Sequence, residues 1–296
     1  MLFRSRRVPR DAPTRNYRDP QHKPELLCAL TPFDALCGFR RAADTLALFE
    51  ALRIRELDPL LAPLRTAPDH EGLRVAFRSI MMMSKEEGAA VVRALVRACE
   101  TRGTATTTRF SHEYRWAARL DALYPGDVGV VSALMLNLVR LAPGEAIYLG
   151  AGNLHAYLGG VGIELMASSD NVLRGGLTRK HVDVPELMRV LDFTSGPVTP
   201  LLPEPLASGE RAYLTPAKEF RLSVIDLTRG AVERRTVHGP EILLCTEGSA
   251  VIAPGDGSPD VTLARGRSAF VPAATERYEL RAGENGALYR ASVNLT

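Results

Sequence analysis

The spacing of hydrophobic and polar positions changes character twice along this chain, near Thr31 and near Pro125, and each change marks a new kind of element. Residues 1–18, MLFRSRRVPRDAPTRNYR, have no sustained period and read as a loop or the run-in to a strand. Pro24 then forces Lys23 toward an extended backbone, so Glu25 opens a β-strand through Leu26-Leu27-Cys28-Ala29-Leu30, its side chain beside those of His22 and Lys23. From Thr31 to about Tyr124 the pattern is helical. Thr31-Pro32-Phe33-Asp34 resembles an N-cap with Pro at the first helical position. Residues 39–49 and 73–83 carry apolar stripes with polar residues opposite. Ser84-Lys85-Glu86-Glu87 predicts a capping box for a helix running to about Thr101, and 111–124 predicts another helix.

At Pro125-Gly126 the period shortens to that of strands. Residues 128–138 and 141–149 are short apolar runs, and Pro143-Gly144 marks a turn. Residues 196–208, GPVTPLLPEPLAS, carry four prolines and read as a linker. Beyond it, strand-like pieces at 220–227, 241–246, 249–253, 268–272 and 287–293 alternate with Gly/Asp/Pro turns, the signature of a β-sandwich or barrel. The fold class expected is therefore mainly β with an α insert. Residues 1–30 and 125–195 form one barrel or jelly roll, 31–124 an all-helical insert, 196–208 a linker and 209–296 a second barrel.

Composition narrows the function classes. At 296 residues the chain has room for roughly two domains. The net charge is +3, and much of the excess lies in the first 23 residues, with Arg4, Arg6, Arg7, Arg10, Arg15, Arg18 and Lys23. No basic face with interleaved aromatics continues from there, which argues against nucleic-acid binding. Cys28, Cys37, Cys99 and Cys245 lie among apolar neighbours without CxxC spacing and read as reduced core thiols. No apolar run reaches the roughly 18 residues of a membrane span. The arginines at the start precede no hydrophobic segment, so a secretory signal is not expected and the cytoplasm is the default. Met81-Met82-Met83 reads as core filling, and His70, His112 and His238 carry no assigned chemistry.

The stretch from Leu149 to Leu191 concentrates what chemistry the sequence shows. His155 follows a Gly150-Ala151-Gly152 turn, Glu164 comes nine residues later inside an apolar run, and Ser169-Asp170-Asn171 leads to Arg174 and Lys180. Taken singly, His155 reads as a satisfied turn histidine, Glu164 as a salt-bridge partner and Arg174 as a loop anchor. Together they fit a site for a metal and an anionic sugar.

Two blocks resemble type I mannose-6-phosphate isomerases, zinc-dependent enzymes of cupin (jelly-roll) architecture. One spans residues 11–40 and contains DPQHKPELLCALTPFDALCGFR. The other spans 125–193, with PGDVGVVSALMLNLVRLAPGEAIYLGAGNLHAYL and SSDNVLRGGLTRKHVDV. The resemblance implies one Zn²⁺ held by four ligands: a Gln and a His of a Gln-x-His motif, the Glu of HKPE (Glu25) and the His of HAYL (His155). Gln-x-His is absent here; Gln21 is the chain's single Gln and sits inside DPQHKPE. The chain therefore reads as N-terminally truncated, with an incomplete metal site and exposed apolar strand edges. By the family pattern Arg174 is the active-site arginine, and Lys23, His22, Glu164, Lys180 and Tyr157 complete the pocket. The substrate implied is a small phosphorylated sugar, with mannose 6-phosphate and fructose 6-phosphate interconverted through an enediol. Either Glu164 or a metal-bound water serves as the proton shuttle. The reaction feeds GDP-mannose synthesis or mannose catabolism, in a protein monomeric by the family plan. The alternative is a weak or inactive cupin remnant that binds a phosphosugar or has a structural role.

Overall fold

The structure is a computed structural model that describes residues 19–103, 109–206 and 209–294. Strand β1 (Glu25–Ala29) is fully buried. It lies antiparallel between β4 (Ala146–Leu149) and β6 (Gly162–Met166). Strand β2 (Phe33–Phe39) lies antiparallel between β3 (Leu136–Leu141) and β5 (His155–Gly159). The two three-stranded sheets close over a shared core containing Leu27, Ala29, Phe33, Ala35, Ile147 and Leu149. On its other face β1 presents Leu26 and Cys28 to Tyr213, Phe220, Leu222 and Tyr289 of the C-terminal part. Burial on both faces is why ELLCA reads as a continuous apolar run rather than an alternation.

The helices lie between β2 and β3: α1 (Ala42–Leu52), α2 (Asp58–Thr66), α3 (His70–Met81), α4 (Lys85–Gly103), α5 (Ser111–Leu123) and α6 (Gly129–Ala133). They dock on the end of β2 through Phe39, which stacks on Phe193 at 4.7 Å and meets Phe77 edge-on at 5.4 Å. The expected capping box is present. Ser84 N–H donates to Glu87 Oε2 at 3.1 Å, and Glu87 N–H donates to Ser84 Oγ at 3.2 Å. The expected helix start at Thr31-Pro32 is not. Phe33–Phe39 is a strand, because Phe33, Ala35 and Cys37 alternate into the core and find ladder partners on both sides. Helix begins only at Ala42. Likewise the apolar run 128–138 divides into α6 and the start of β3.

After helix α7 (Val184–Val190), the proline-rich stretch is not free of the sheets. Ala146 and Leu201 exchange backbone hydrogen bonds at 2.8 and 2.9 Å. The C-terminal part pairs β7 (Glu204–Pro205), β8 (Arg211–Ala212), β9 (Arg221–Leu227), β11 (Glu241–Glu247), β14 (Ser268–Val271) and β16 (Gly286–Ser292) in one sheet. It pairs β10 (Val232–Thr236), β12 (Ser249–Pro254), β13 (Val261–Ala264) and β15 (Arg277–Ala282) in another. Between them lies an apolar core capped by buried charge. Glu210 takes Arg235 at 3.0 Å and Arg290 at 2.6 Å, and Arg290 also holds Glu241 at 2.9 Å. Among the described residues, no helix is long and apolar enough to cross a membrane.

Candidate functional site

Strand register decides which side chains meet. Leu27 is opposite Glu164 and Glu25 opposite Met166, so Glu25 and Glu164 share the face of their sheet that carries Leu27 into the core. His155 is opposite Cys37 and Tyr157 opposite Ala35, so these two lie on the face of their own sheet that carries Ala35 and Cys37 into the same core. The four polar groups therefore converge at one end of the space between the sheets. That end is open. Among the described residues β5 and β6 are outermost strands, and Tyr157 on β5 and Met166 on β6 are exposed.

The opening is a cavity of about 630 Å³ lined by His22, Lys23, Glu25, His155, Glu164 and Arg174, among others. His155 Nε2 lies 3.2 Å from Glu25 Oε2, and Lys23 Nζ lies 3.2 Å from Glu25 Oε1. His155 Nδ1–H donates to the Asn153 carbonyl at 3.0 Å, which leaves Nε2 as the nitrogen facing Glu25. Burial pulls the imidazole down, but the bonds to Glu25 and Asn153 outweigh it and hold His155 above its ordinary value. Burial pushes Glu25 up, yet His155 and Lys23 leave its carboxyl below its ordinary value. The pair is thus biased toward imidazolium and carboxylate.

Tyr157 O–H donates to Glu164 Oε1 at 2.7 Å, and burial together with that bond pushes the phenol up, so it stays a donor. Arg174 has no side-chain partner among the described residues. Its loop is held by close backbone approach: at Gly176, with φ +106°, a Cβ would lie 2.7 Å from Gly129 Cα. His22 Nε2 bonds Glu219 Oε1 at 2.5 Å, so the C-terminal part reaches the cavity mouth.

Six of the eight residues expected from sequence line this cavity, and two do not. Tyr157 acts on it through Glu164. Lys180 is exposed outside the lining, its N–H bonded to Thr178 Oγ1 at 3.1 Å. The lining of that loop ends at Thr178, and spacing from Arg174 alone could not register where the chain leaves the cavity. Sequence reading also missed Asn153, whose carbonyl orients His155, and Asp19, which bonds the 169–171 turn.

A metal can be tested against these donors. Zinc–ligand bonds near 2.0–2.1 Å in a tetrahedral site put neighbouring ligand atoms about 3.4 Å apart. The 3.2 Å between His155 Nε2 and Glu25 Oε2 fits one edge of such a site, and a backbone carbonyl on the far ring nitrogen is the usual support of a metal-ligating histidine. No group of three His, Cys, Asp or Glu suited to a metal occurs among the described residues. Cys37, opposite His155, is a buried thiol that burial pushes up to about 11, with Sγ 3.7 Å from Asn153 Oδ1. Among the described residues, Glu25 and His155 fit two ligand positions.

Comparison with known proteins gives the same direction. Residues 4–42 match the family model described as phosphomannose isomerase type I, catalytic domain. Mannose-6-phosphate isomerase of Escherichia coli (strain K12) is 37% identical over 270 residues, covering 90% of this chain and 65% of that protein. The Rattus norvegicus enzyme of the same name is 31% identical, with 93% and 69% covered. The chain thus spans about two thirds of the length of these relatives. A solved mannose 6-phosphate isomerase bound with zinc and yttrium superposes with a TM-score of 0.82 at 33% identity, over 98% of this chain and 71% of that one. With strand register, the convergent site and these likenesses in agreement, the chain belongs to the type I phosphomannose isomerase family.

Proposed function

We propose that this polypeptide carries the substrate- and proton-handling part of a zinc-dependent aldose–ketose isomerase acting on mannose 6-phosphate and fructose 6-phosphate. The observation that carries the reading is the convergence in one open cavity of the Glu25–His155 pair, the Glu164 carboxylate and the Arg174 guanidinium, which has no side-chain partner among the described residues. The reaction moves a proton between C2 and C1 through an enediol, which requires a base that returns what it takes and cations where oxygen charge develops. Glu164, oriented by the Tyr157 hydroxyl, takes the C2 proton and returns it to C1. Arg174, permanently charged and forked, receives the phosphate or the enediolate oxygens. Lys23 adds a second cation at the cavity wall, and His22, held by Glu219, stands at the mouth. When bound at Glu25 and His155, zinc would polarise the oxygens on C1 and C2.

We further propose that strands β1–β6 form one barrel, helices α1–α6 an insert, and 209–294 a second barrel. The working location is the cytoplasm, and the reaction's product would serve mannose-donor synthesis or sugar catabolism. A weakly active, phosphosugar-binding form is the second reading, favoured by the two-donor metal site. The test follows mannose 6-phosphate in D₂O with added zinc. Zinc-dependent solvent exchange at C2 that disappears in Glu164→Gln supports the isomerase. Binding of the sugar phosphate without exchange supports the second reading, and absence of binding contradicts both.

A further inference from the structure

The ladder between β1 and β6 ends at Glu25 opposite Met166, with one more bond from Ala167 N–H to the Pro24 carbonyl at 3.1 Å. Past that point two irregular segments run side by side. Residues 19–23 bring Gln21, His22 and Lys23 into the lining of the cavity, and residues 169–176 bring Asn171 and Arg174. A dense set of bonds joins them. The Asp19 carboxylate accepts from Ser169 Oγ at 3.0 and 3.1 Å, from Asp170 N–H at 3.1 Å and from Asn171 Nδ2 at 3.1 Å. Asn171 Nδ2 also reaches the carbonyls of Asp19 and Gln21, both at 2.9 Å, and Asp19 N–H returns a bond to Asn171 Oδ1 at 3.3 Å.

These contacts span about 150 residues of sequence and use carboxylate, amide and backbone together. Arg174 lies three residues beyond Asn171. Its long side chain has no side-chain partner among the described residues, so its guanidinium is placed by its backbone. On the far side that backbone is fixed where Gly176 packs on Gly129; on the near side the Asp19–Asn171 contacts tie it to residues 19–21, and Leu173 between them packs on the helical core. A side chain of such rotamer freedom binds an anion well only if its root is held.

We propose that Asp19 and Asn171 are positioning residues that hold Arg174 in the cavity that Lys23 also lines, so that one phosphosugar meets both cations. This rests on the reading of the cavity given above. Without the clasp the loop carrying Arg174 samples wider positions, and the loss falls on substrate affinity rather than on the proton-transferring carboxylate.

The test compares Asp19→Ala, Asn171→Ala and the conservative Asp19→Asn with the parent chain. Amide hydrogen exchange is followed across 172–177 and across β3 and β4, and mannose 6-phosphate affinity is measured by calorimetry. The two alanine variants are expected to exchange at 172–177 about tenfold faster, with β3 and β4 unchanged, and to bind about tenfold more weakly. Asp19→Asn, which keeps one acceptor oxygen, should fall between. Unchanged exchange at 172–177, or faster exchange with parental affinity, overturns the proposal. So does uniform loosening of β3 and β4 along with the loop, which would make Asp19 and Asn171 general stabilisers. If the parent chain itself binds no mannose 6-phosphate, the functional reading fails, and the exchange rates alone decide whether the clasp holds the loop.

Discussion

Replacing Glu25 with Gln removes the charge on which Lys23 and His155 converge, and the structure sets both the size of the effect and its pH dependence. The Glu25 side chain is 10% exposed, Lys23 16% and His155 27%, so neither contact is a freely solvated surface pair. A hydrogen bond to a charged group contributes about 1.5–3 kcal/mol. Both contacts are 3.2 Å, longer than the roughly 2.7–2.9 Å of strong charge-assisted bonds. The low end applies to each, or about 3 kcal/mol for the two. His155 lies above its ordinary value of 6.5 in the folded state, so its share is complete below pH 6.5 and is lost as pH rises through the raised value. Glu25 lies below its ordinary 4.5, so its share is complete above pH 4.5 and is lost as pH falls through the lowered value. Glu25→Gln should therefore cost most between pH 4.5 and 6.5 and roughly half as much at pH 9, where only the Lys23 contact remains. Urea unfolding in the presence of chelator at pH 5.5, 7 and 9 reads this directly. The exposed Glu204→Gln serves as control, with an expected change within about 0.5 kcal/mol. A Glu25→Gln penalty that is absent, or equal at all three pH values, would refute the coupled ion pair.

Other outcomes follow from the same geometry. Zinc must displace the proton that Glu25 helps His155 to hold, so calorimetry in buffers of different ionisation enthalpy should show proton release on zinc binding, with affinity falling as pH drops through the raised value of His155. Gly176→Ala should cost about 2 kcal/mol or more, because its φ of +106° and the backbone of Gly129 both exclude a Cβ; thermal unfolding measures it. Glu210→Ala leaves Arg235 and Arg290 buried without their shared carboxylate and should cost about 3–5 kcal/mol in the same assay. Removing the exposed Arg211–Asp226 pair should cost less than about 1 kcal/mol.

The candidate residues were legible in the sequence through the HKPE and HAYL segments and the spacing that follows them; what turns them toward one space is strand parity, seen in the structure. Glu25 follows a proline that fixes an extended backbone, and His155 and Glu164 sit in short strands whose alternation turns them to one space. The helices were legible where amphipathic period and caps agreed, as at Ser84–Glu87. What failed has tertiary causes. Phe33–Phe39 carries a helix-start signal, Thr31-Pro32, but its neighbours offer two ladders that outweigh it. Strands β10 and β15 were missed because charged residues interrupt their apolar alternation, and β13 because it is only four residues long; in β10 the buried Arg235 is met by Glu210 and Glu233. The Asp19–Asn171 clasp joins residues about 150 apart, and no local pattern encodes it. One-dimensional spacing also cannot show that Lys180 lies where its loop has left the cavity lining.

The central claim is that Glu164, Arg174 and the Glu25–His155 pair form one phosphosugar site. Isothermal calorimetry of mannose 6-phosphate against the parent chain, Arg174→Ala and an exposed-arginine control, Arg234→Ala, tests it most directly. The account predicts saturable binding at one site, weakened at least tenfold by Arg174→Ala and unchanged by Arg234→Ala. Binding that survives Arg174→Ala intact, or a parent chain that takes up no mannose 6-phosphate, would contradict it.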